Sequence, residues 1–527
     1  FHSEVMASMA VNIPGAFGTP ALKPYRIPMA LYKENRSRLV SRFAEHVKGS
    51  ADGEGSLLLF RGGEQATRYE TDHEPLFRQE SFFAHLFGVI EPGCYAVIAV
   101  PSGRTTLFVP KFPQEYAVWM GAIHPPSSFT AKYQVDETLY VEDLAAWITA
   151  HPAHVAHMAA AGGKEVAVHT LYGVNSDTGE SGPPLPDFEG FEKIANVSSD
   201  FLREHCVEVR VLKSSLEVEL LQRVNDLASD AHLAAMAHAK PGMFEFQVEA
   251  TFLHHCYYRG GARMAAYTSI CGCGPNSATL HYGHSGAPNS RELGEGEMML
   301  ADMGCELGCY CCDITCSYPV VTAARDAKFT TDQAFIFETV ALCQSRVMSA
   351  MAPGIEWADM HSLAYRTILE RFLDRGLLVG PIEALMAANV GSYFMPHGLG
   401  HLIGCDTHDV GGYPRGGRPR DTRRGFKSLR CMRKLEAGMV LTVEPGVYFV
   451  DCLLDELFAD PDAKAFAVAS ELERFRGTGG VRLEDSVLVT PIGRPARNLT
   501  TCPRTVADVE KVLRGEITAK EQLARLV

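Results

Sequence analysis

The stretch "KSSLEVELLQRVNDLASDAHLAAMAHAKPG", residues 213–242, constrains this chain more than any other. Ser214 followed by Glu217 forms a capping box, in which hydroxyl and carboxylate satisfy N–H groups of the first helical turn. Pro241-Gly242 cannot continue a helix, so one long helix must lie between these signals. It divides the sequence. Ahead of it the pattern mixes "ALYKENRSRLVSRFAEHV" and "VEDLAAWITA", which are helical, with "SLLLF", "CYAVIAVPSGRTTLFVPK" and "EVAVHTLYG", which are extended. Few acids or histidines converge in that half, which reads as a structural α/β domain. Behind it comes a second helix, "FEFQVEATFLHHCYYRGG", then alternating strands and helices that carry nearly all the chemically interesting residues. The expected division is a tail over 1–20, an α/β domain over 21–208 and a second domain over 209–527.

A net charge of −14 argues against a nucleic-acid-binding surface over the whole molecule. No apolar run reaches 18 residues, so no membrane-spanning helix is expected. The first 30 residues carry Pro and Gly without a compact apolar segment, so no secretory signal is expected, and "FHSEV" ahead of Met6 is set aside. Fifteen cysteines, an odd count scattered through 527 residues, read as reduced thiols of a cytoplasmic protein.

"DMGCELGCYCCD", residues 302–313, poses the central chemical question: a thiolate metal site, or two carboxylates with cysteines between them. Read as a hairpin turning at Leu307-Gly308, it sets Asp302 opposite Asp313, with Cβ atoms roughly 4.5–5.5 Å apart. Paired metals of a co-catalytic site sit about 3.5–4 Å apart, within reach of opposed carboxylates. Of Cys305, Cys309, Cys311, Cys312 and Cys316 only Cys309 and Cys312 have C-x2-C spacing, so the paired knuckles of structural zinc sites are missing and the cysteines read as packing. Further candidates follow downstream. His397 and His401 in "FMPHGLGHLIG" lie four apart, but Pro and two Gly exclude a regular helix; His408 follows. Glu444 ends an apolar strand before Pro-Gly. "GGVRLEDSVLVT" reads as one strand with Arg482, Glu484 and Ser486 on one face, leaving Asp485 on the apolar face as a weaker candidate.

Asp302 and Asp313, His401 in "HGLGH", Glu444 in "TVEPG" and Glu484 in "GGVRLED" together resemble the pita-bread metallopeptidases, most closely their prolidase (Xaa-Pro dipeptidase) branch. "SICGCGPNSATLHYGHSGAPN", "DITCSYPV", "HDVGGYP", "CPRTV" and, in the first half, "FRQESFFAHLFGVIEPGCYAVI" extend the resemblance over nearly the whole chain. It implies an α/β (α+β) fold, with a creatinase-like N-terminal domain and a pita-bread catalytic domain. It also implies two divalent ions per subunit, usually Mn(II), which acidify a bridging water. By matching position, Asp302 holds one ion, His401 and Glu444 the other, and Asp313 and Glu484 bridge. Glu444 is the implied proton carrier. His281, His397 and His408 line the substrate and stabilise the intermediate or pass protons. Arg430 receives the substrate's C-terminal carboxylate, and Arg482, beside the bridging glutamate, is a second substrate-binding arginine. The implied substrates are Xaa-Pro dipeptides and the implied assembly a homodimer. Aminopeptidase P shares the ligands but cuts longer peptides, and binding proteins on this fold lose them. The loop 415–434 is unexpectedly rich in arginine; it reads as a solvated loop, a site for an anionic partner, or a preference for acidic substrates.

Overall fold

A computed structural model describes residues 25–48, 55–160, 168–182, 185–284, 288–322 and 327–518. The expected tail over 1–20 and the start of "EVAVHTLYG" lie outside them. The N-terminal half is built on a mixed six-stranded sheet, β1 (Leu57–Arg61), β2 (Tyr95–Ala99), β3 (Thr105–Val109), β4 (Glu137–Tyr140), β5 (Val168–Thr170) and β6 (Val197–Ser198), in spatial order β4-β3-β2-β1-β5-β6. Its central strands are apolar at nearly every position because both faces are covered. Leu58, Phe60, Ala96 and Ile98 enter one core with the helices Met29–His46 and Ser81–Phe87. Their alternates Leu57, Leu59, Tyr95 and Val97 enter another with Leu144 and Ile148.

The dividing helix spans Ser215–His238, and its capping box is formed as the sequence predicts. A cap of this kind contributes about 1 kcal/mol. Here Glu217 does more than cap. Its buried carboxylate accepts from Ser214 N (2.8 Å) and Tyr310 OH (3.0 Å), and meets His85 Nε2 (3.0 Å) and Arg38 Nη1 (3.2 Å) of the N-terminal half. Burial opposes its ionisation, but His85, the Ser214 N–H and Lys213 outweigh it and hold the carboxyl down to about 2. The two halves are pinned at the start of the dividing helix.

That helix packs on Glu245–Gly260, and a second pair, Thr331–Ala350 on Trp357–Arg375, repeats the arrangement. Antiparallel three-stranded sheets pack against these pairs, and two of them carry the site, one with Met298–Asp302 central and one with Asp485–Leu488 central. The isolated bridge Thr315↔Glu484 joins them, and the site forms at that seam.

The structure corrects the register of the 302–313 hairpin. Its two-residue turn is Gly308-Cys309, not Leu307-Gly308, and both residues are left-handed (φ 59° and 63°), as a primed turn matching the twist of the strands requires. Asp302 therefore faces Thr315 rather than Asp313. Moving the turn by one residue moves each pairing by two, so Asp313 stays on the same side as Asp302, diagonally placed. Buried Cys305, Cys311, Cys312 and Cys316 are core side chains.

Candidate metal centre

Each candidate side chain is set by a strand end or a turn whose backbone is held elsewhere. Asp302 ends its strand. Asp313 precedes the strand Thr315–Pro319. His401 leaves the Gly-rich segment beside the strand Val440–Val443: Thr442 N donates to His401 O (2.9 Å), and His401 N donates to Thr442 Oγ1 (3.0 Å). Gly400 permits that approach, since a Cβ there would lie 2.0 Å from the Thr442 carbonyl oxygen. Glu444 follows the same strand, its N–H donating to Leu399 O (2.9 Å).

Glu484 departs from the continuous strand read in the sequence. Gly480–Arg482 and Asp485–Leu488 belong to different sheets, and the chain breaks at Leu483-Glu484. Leu483 N donates to Pro445 O (3.3 Å) and Glu484 N to Thr315 O (3.2 Å). The break turns Glu484 inward beside Asp313. Asp485 is no ligand: it is buried against Arg504 (2.6 Å) and accepts from Asn498 Nδ2 (2.8 Å).

The five candidates converge. Ligand atoms of Asp313, His401 and Glu484 all lie within 4.8 Å of one another. His401 Nε2 is 3.3 Å from Asp313, 3.6 Å from Glu444 and 4.0 Å from Glu484. Asp302 joins from the other side, bound by Tyr267 OH (2.6 Å) and by Arg482 Nη2. Arg482 also donates to Thr315 Oγ1 (3.1 Å) and Tyr448 OH (2.8 Å), and Thr315 Oγ1 donates to Glu484 Oε2 (2.7 Å). Arg482, expected to touch substrate, is thus buried and spent on bracing the acids.

The electrostatics ask for positive charge. Burial is the largest cause raising the carboxyls of Glu444, to about 7, and Asp302, to about 6; Glu484 is raised well above its ordinary value. Neighbouring carboxylates add to each rise. His401 has Nδ1 3.1 Å from Leu402 O, an obligate acceptor, so Nε2 faces the acids with its lone pair or with a second proton. Burial lowers that ring, but Asp313 and Glu444 hold it above its ordinary value. Asp313 Oδ1 is buried without a hydrogen-bond partner. Hard oxygen donors, one imidazole and an orphaned carboxylate oxygen fit divalent cations.

A cavity of 440 Å³ opens on this cluster, lined among others by His281, His397, His401, His408, Arg430 and Glu444. The histidines and the arginine expected at the substrate are therefore brought together; Arg482 is not among the lining residues. Burial lowers His397 and His408 to about 3 and lowers His281 as well, so all three are neutral near pH 7. His397 Nδ1 meets Gly398 O (2.7 Å), which leaves its buried Nε2 as an unpartnered acceptor.

Several members of the site carried no sequence signal of their own. Thr315, two residues past Asp313, was findable by strand alternation. Tyr267, Asp177 and Arg420 were not, because long-range folding alone brings them there. The arginine-rich loop is also not a free cationic surface. Arg415 pairs with Glu204, Arg418 with Glu356, Arg420 and Arg430 with Asp177, Arg423 with Asp421, Arg424 with Glu456 and Arg433 with Glu208.

Residues 32–156 match the model of the aminopeptidase P N-terminal domain, and residues 219–491 match metallopeptidase family M24. The Xaa-Pro dipeptidase of Homo sapiens is 46% identical over 490 residues, covering 93% of this chain and 94% of that protein. A probable Xaa-Pro aminopeptidase of Sordaria macrospora is 31% identical over 478 residues, covering 90% and 95%. Among solved structures, aminopeptidase P from E. coli with the inhibitor Pro-Leu superposes with a TM-score of 0.71 at 26% identity, covering 93% of this chain and 99% of that one. Pseudomonas aeruginosa aminopeptidase PepP gives 0.70 at 26% identity, with the same coverage. With a family model matched over more than half its length and a relative at 46% identity over nearly all of it, this chain belongs to metallopeptidase family M24.

Proposed function

We propose that the chain is a metal-dependent Xaa-Pro dipeptidase that hydrolyses dipeptides ending in proline. One observation carries the choice of substrate: Arg430 lies in the same cavity as His401 and Glu444, so a cation that can read a C-terminal carboxylate shares that space with the hydrolytic centre. Its volume, 440 Å³, falls in the range of small-molecule sites, about 300–1,000 Å³. The 46% identity to a Xaa-Pro dipeptidase supports the same reading.

Asp302, Asp313, His401, Glu444 and Glu484 would hold two divalent cations, manganese in our reading, which would supply an acidified water and polarise the scissile carbonyl. The remaining work belongs to side chains. Glu444 lines the cavity 3.6 Å from His401 Nε2, where a carboxylate is placed to accept and return a proton. His397 lines the cavity and its buried Nε2 is an unpartnered acceptor, which suits proton passage. His408 packs edge-on to His401 with ring centroids 4.5 Å apart and lines the same wall, as does His281. Arg430 grips the substrate carboxylate with its planar fork. Arg482 holds Asp302 in place.

We place the catalytic domain at 209–527 behind an N-terminal domain at 21–208, and infer a cytoplasmic homodimer from fifteen free thiols and from the prolidase resemblance. No helix among the described residues is long and apolar enough to cross a membrane. The decisive experiment measures metal content and then hydrolysis of Gly-Pro, Gly-Pro-NH2 and a Gly-Pro-Xaa tripeptide. Wild type should prefer Gly-Pro, and Arg430→Ala should lose that preference while keeping metal. Because the Arg430 side chain is 29% exposed, the loss belongs at the lower end of the range for a charge pair, about 2 kcal/mol. Undiminished preference in the mutant refutes the assignment of Arg430; preference for the tripeptide in wild type favours the aminopeptidase reading.

A further inference from the structure

Asp177 belongs to the N-terminal half yet lines the catalytic cavity. It sits in a turn closed on itself by the Val174↔Ser181 bridge, and Asn175 Oδ1 accepts from Asp177 N (2.8 Å) and Thr178 N (3.1 Å). The carboxylate spans two arginines: Oδ1 accepts from Arg420 Nη2 (2.6 Å) and Oδ2 from Arg430 Nη1.

The two arginines are not equivalent. Arg420 also donates to Ser176 O (3.1 Å), Lys427 O (3.1 Å) and Leu429 O (2.9 Å), and stacks on the Tyr413 ring at 4.5 Å. It is fixed. Arg430 makes its ion pair with Asp177 alone among the described residues and lines the cavity, so its remaining N–H donors are not committed to another carboxylate. Two guanidiniums and one carboxylate leave this trio a single positive charge, which suits the C-terminal carboxylate of a dipeptide, and the exposed Lys427 adds a further cation to the same lining.

We propose that Asp177 is a displaceable counter-ion of Arg430, a specificity residue contributed by the N-terminal half, which yields Arg430 to the substrate's carboxylate and remains on Arg420. The proposal rests on the reading of Arg430 as the carboxylate-binding residue. The exchange is shallow. Both partners are about a quarter exposed (29% and 23%), and a pair of that exposure weakens a competing ligand by about two- to fivefold. The fixed position of Arg420 keeps the displaced carboxylate from following the substrate inward.

The test uses the metal-loaded, full-length protein with Asp177→Asn, Asp177→Ser as a second variant, Arg430→Ala and the double variant Asp177→Asn/Arg430→Ala. KM for Gly-Pro and inhibition by proline and by prolinamide are measured for each. Removing the counter-ion should lower KM for Gly-Pro and the inhibition constant of proline by about two- to fivefold, leave prolinamide unmoved, and give no gain when Arg430 is absent. A purely structural role predicts the opposite sign, a raised KM. That result, an equal effect on prolinamide, or a gain persisting without Arg430 overturns the proposal. If Arg430→Ala still distinguishes proline from prolinamide, the reading of Arg430 itself falls. If that variant loses the distinction while the Asp177 variants show no gain, only the Asp177 proposal falls.

Discussion

Arg504 offers a severe test of how the seam between the two catalytic sheets is held. Its side chain is 2% exposed and lies against Asp485, 1% exposed, with Nε and Nη2 donating to Asp485 Oδ1 at 3.1 and 2.6 Å. Nη2 also donates to the Glu484 carbonyl oxygen at 2.8 Å. Arg504→Met fills similar volume but leaves the Asp485 carboxylate buried with only Asn498 Nδ2, 2.8 Å away, to compensate it. Breaking one side of a buried pair costs about 3–5 kcal/mol, because the surviving charge stays desolvated. Urea unfolding followed by tryptophan fluorescence reads this directly. Trp357 is fully buried and donates to Gly400 O (3.2 Å), so it reports on the half that carries the site. Asp485→Leu/Arg504→Met, which removes both charges, should recover at least half of the loss. Metal affinity should fall in the single variant, since Glu484 loses the donor that fixes its backbone. A loss under about 1 kcal/mol, or a double variant no more stable than the single one, would refute the reasoning.

Three further outcomes are expected. Asp313→Ala, which deletes the carboxylate nearest His401, should abolish turnover of Gly-Pro and reduce metal content; full metal with normal activity would sink the shared-ligand assignment. Cys305, Cys309 and Cys311 changed singly to Ser should keep stoichiometric metal, because a hydrogen bond with Cys256 raises the first thiol, burial raises the other two, and all three stay protonated at neutral pH. Glu217, held at about 2 against an ordinary 4.5, adds stability that is fully present above about pH 4.5 and disappears as pH falls through 2. The difference in unfolding free energy between wild type and Glu217→Gln should shrink by up to about 3 kcal/mol across that window, and a constant difference would contradict it.

The sequence carried what depends on local chemistry. The Ser214–Glu217 box and Pro241-Gly242 located the dividing helix, and alternation together with Gly-Pro punctuation brought out the acids at strand ends. It failed where distant partners decide. Nothing between 479 and 490 says that Leu483 will bond to Pro445, so the strand read as continuous. Leu307-Gly308 looked like the turn because X-Gly suits a tight two-residue loop; the ladder instead puts Gly308-Cys309 at the tip, with Cys309 at positive φ. The arginines of 415–434 read as solvated because their acids, Glu204, Glu356 and Asp177 among them, lie up to 253 residues away in the chain. Asp177 shows the limit most plainly, being an ordinary turn aspartate until the two halves close on it.

The displaced hairpin turn also says how this site can and cannot change length. Asp302 and Asp313 share a side because an even shift separates the observed ladder from its neighbouring register. Losing one residue between them would swing one carboxylate to the far side of the ribbon, among the buried cysteines, whereas losing two would restore the alternation. Insertions and deletions here are therefore sieved by parity: the tip can shorten or grow in pairs and still supply both acids, while every odd step dismantles the centre at once.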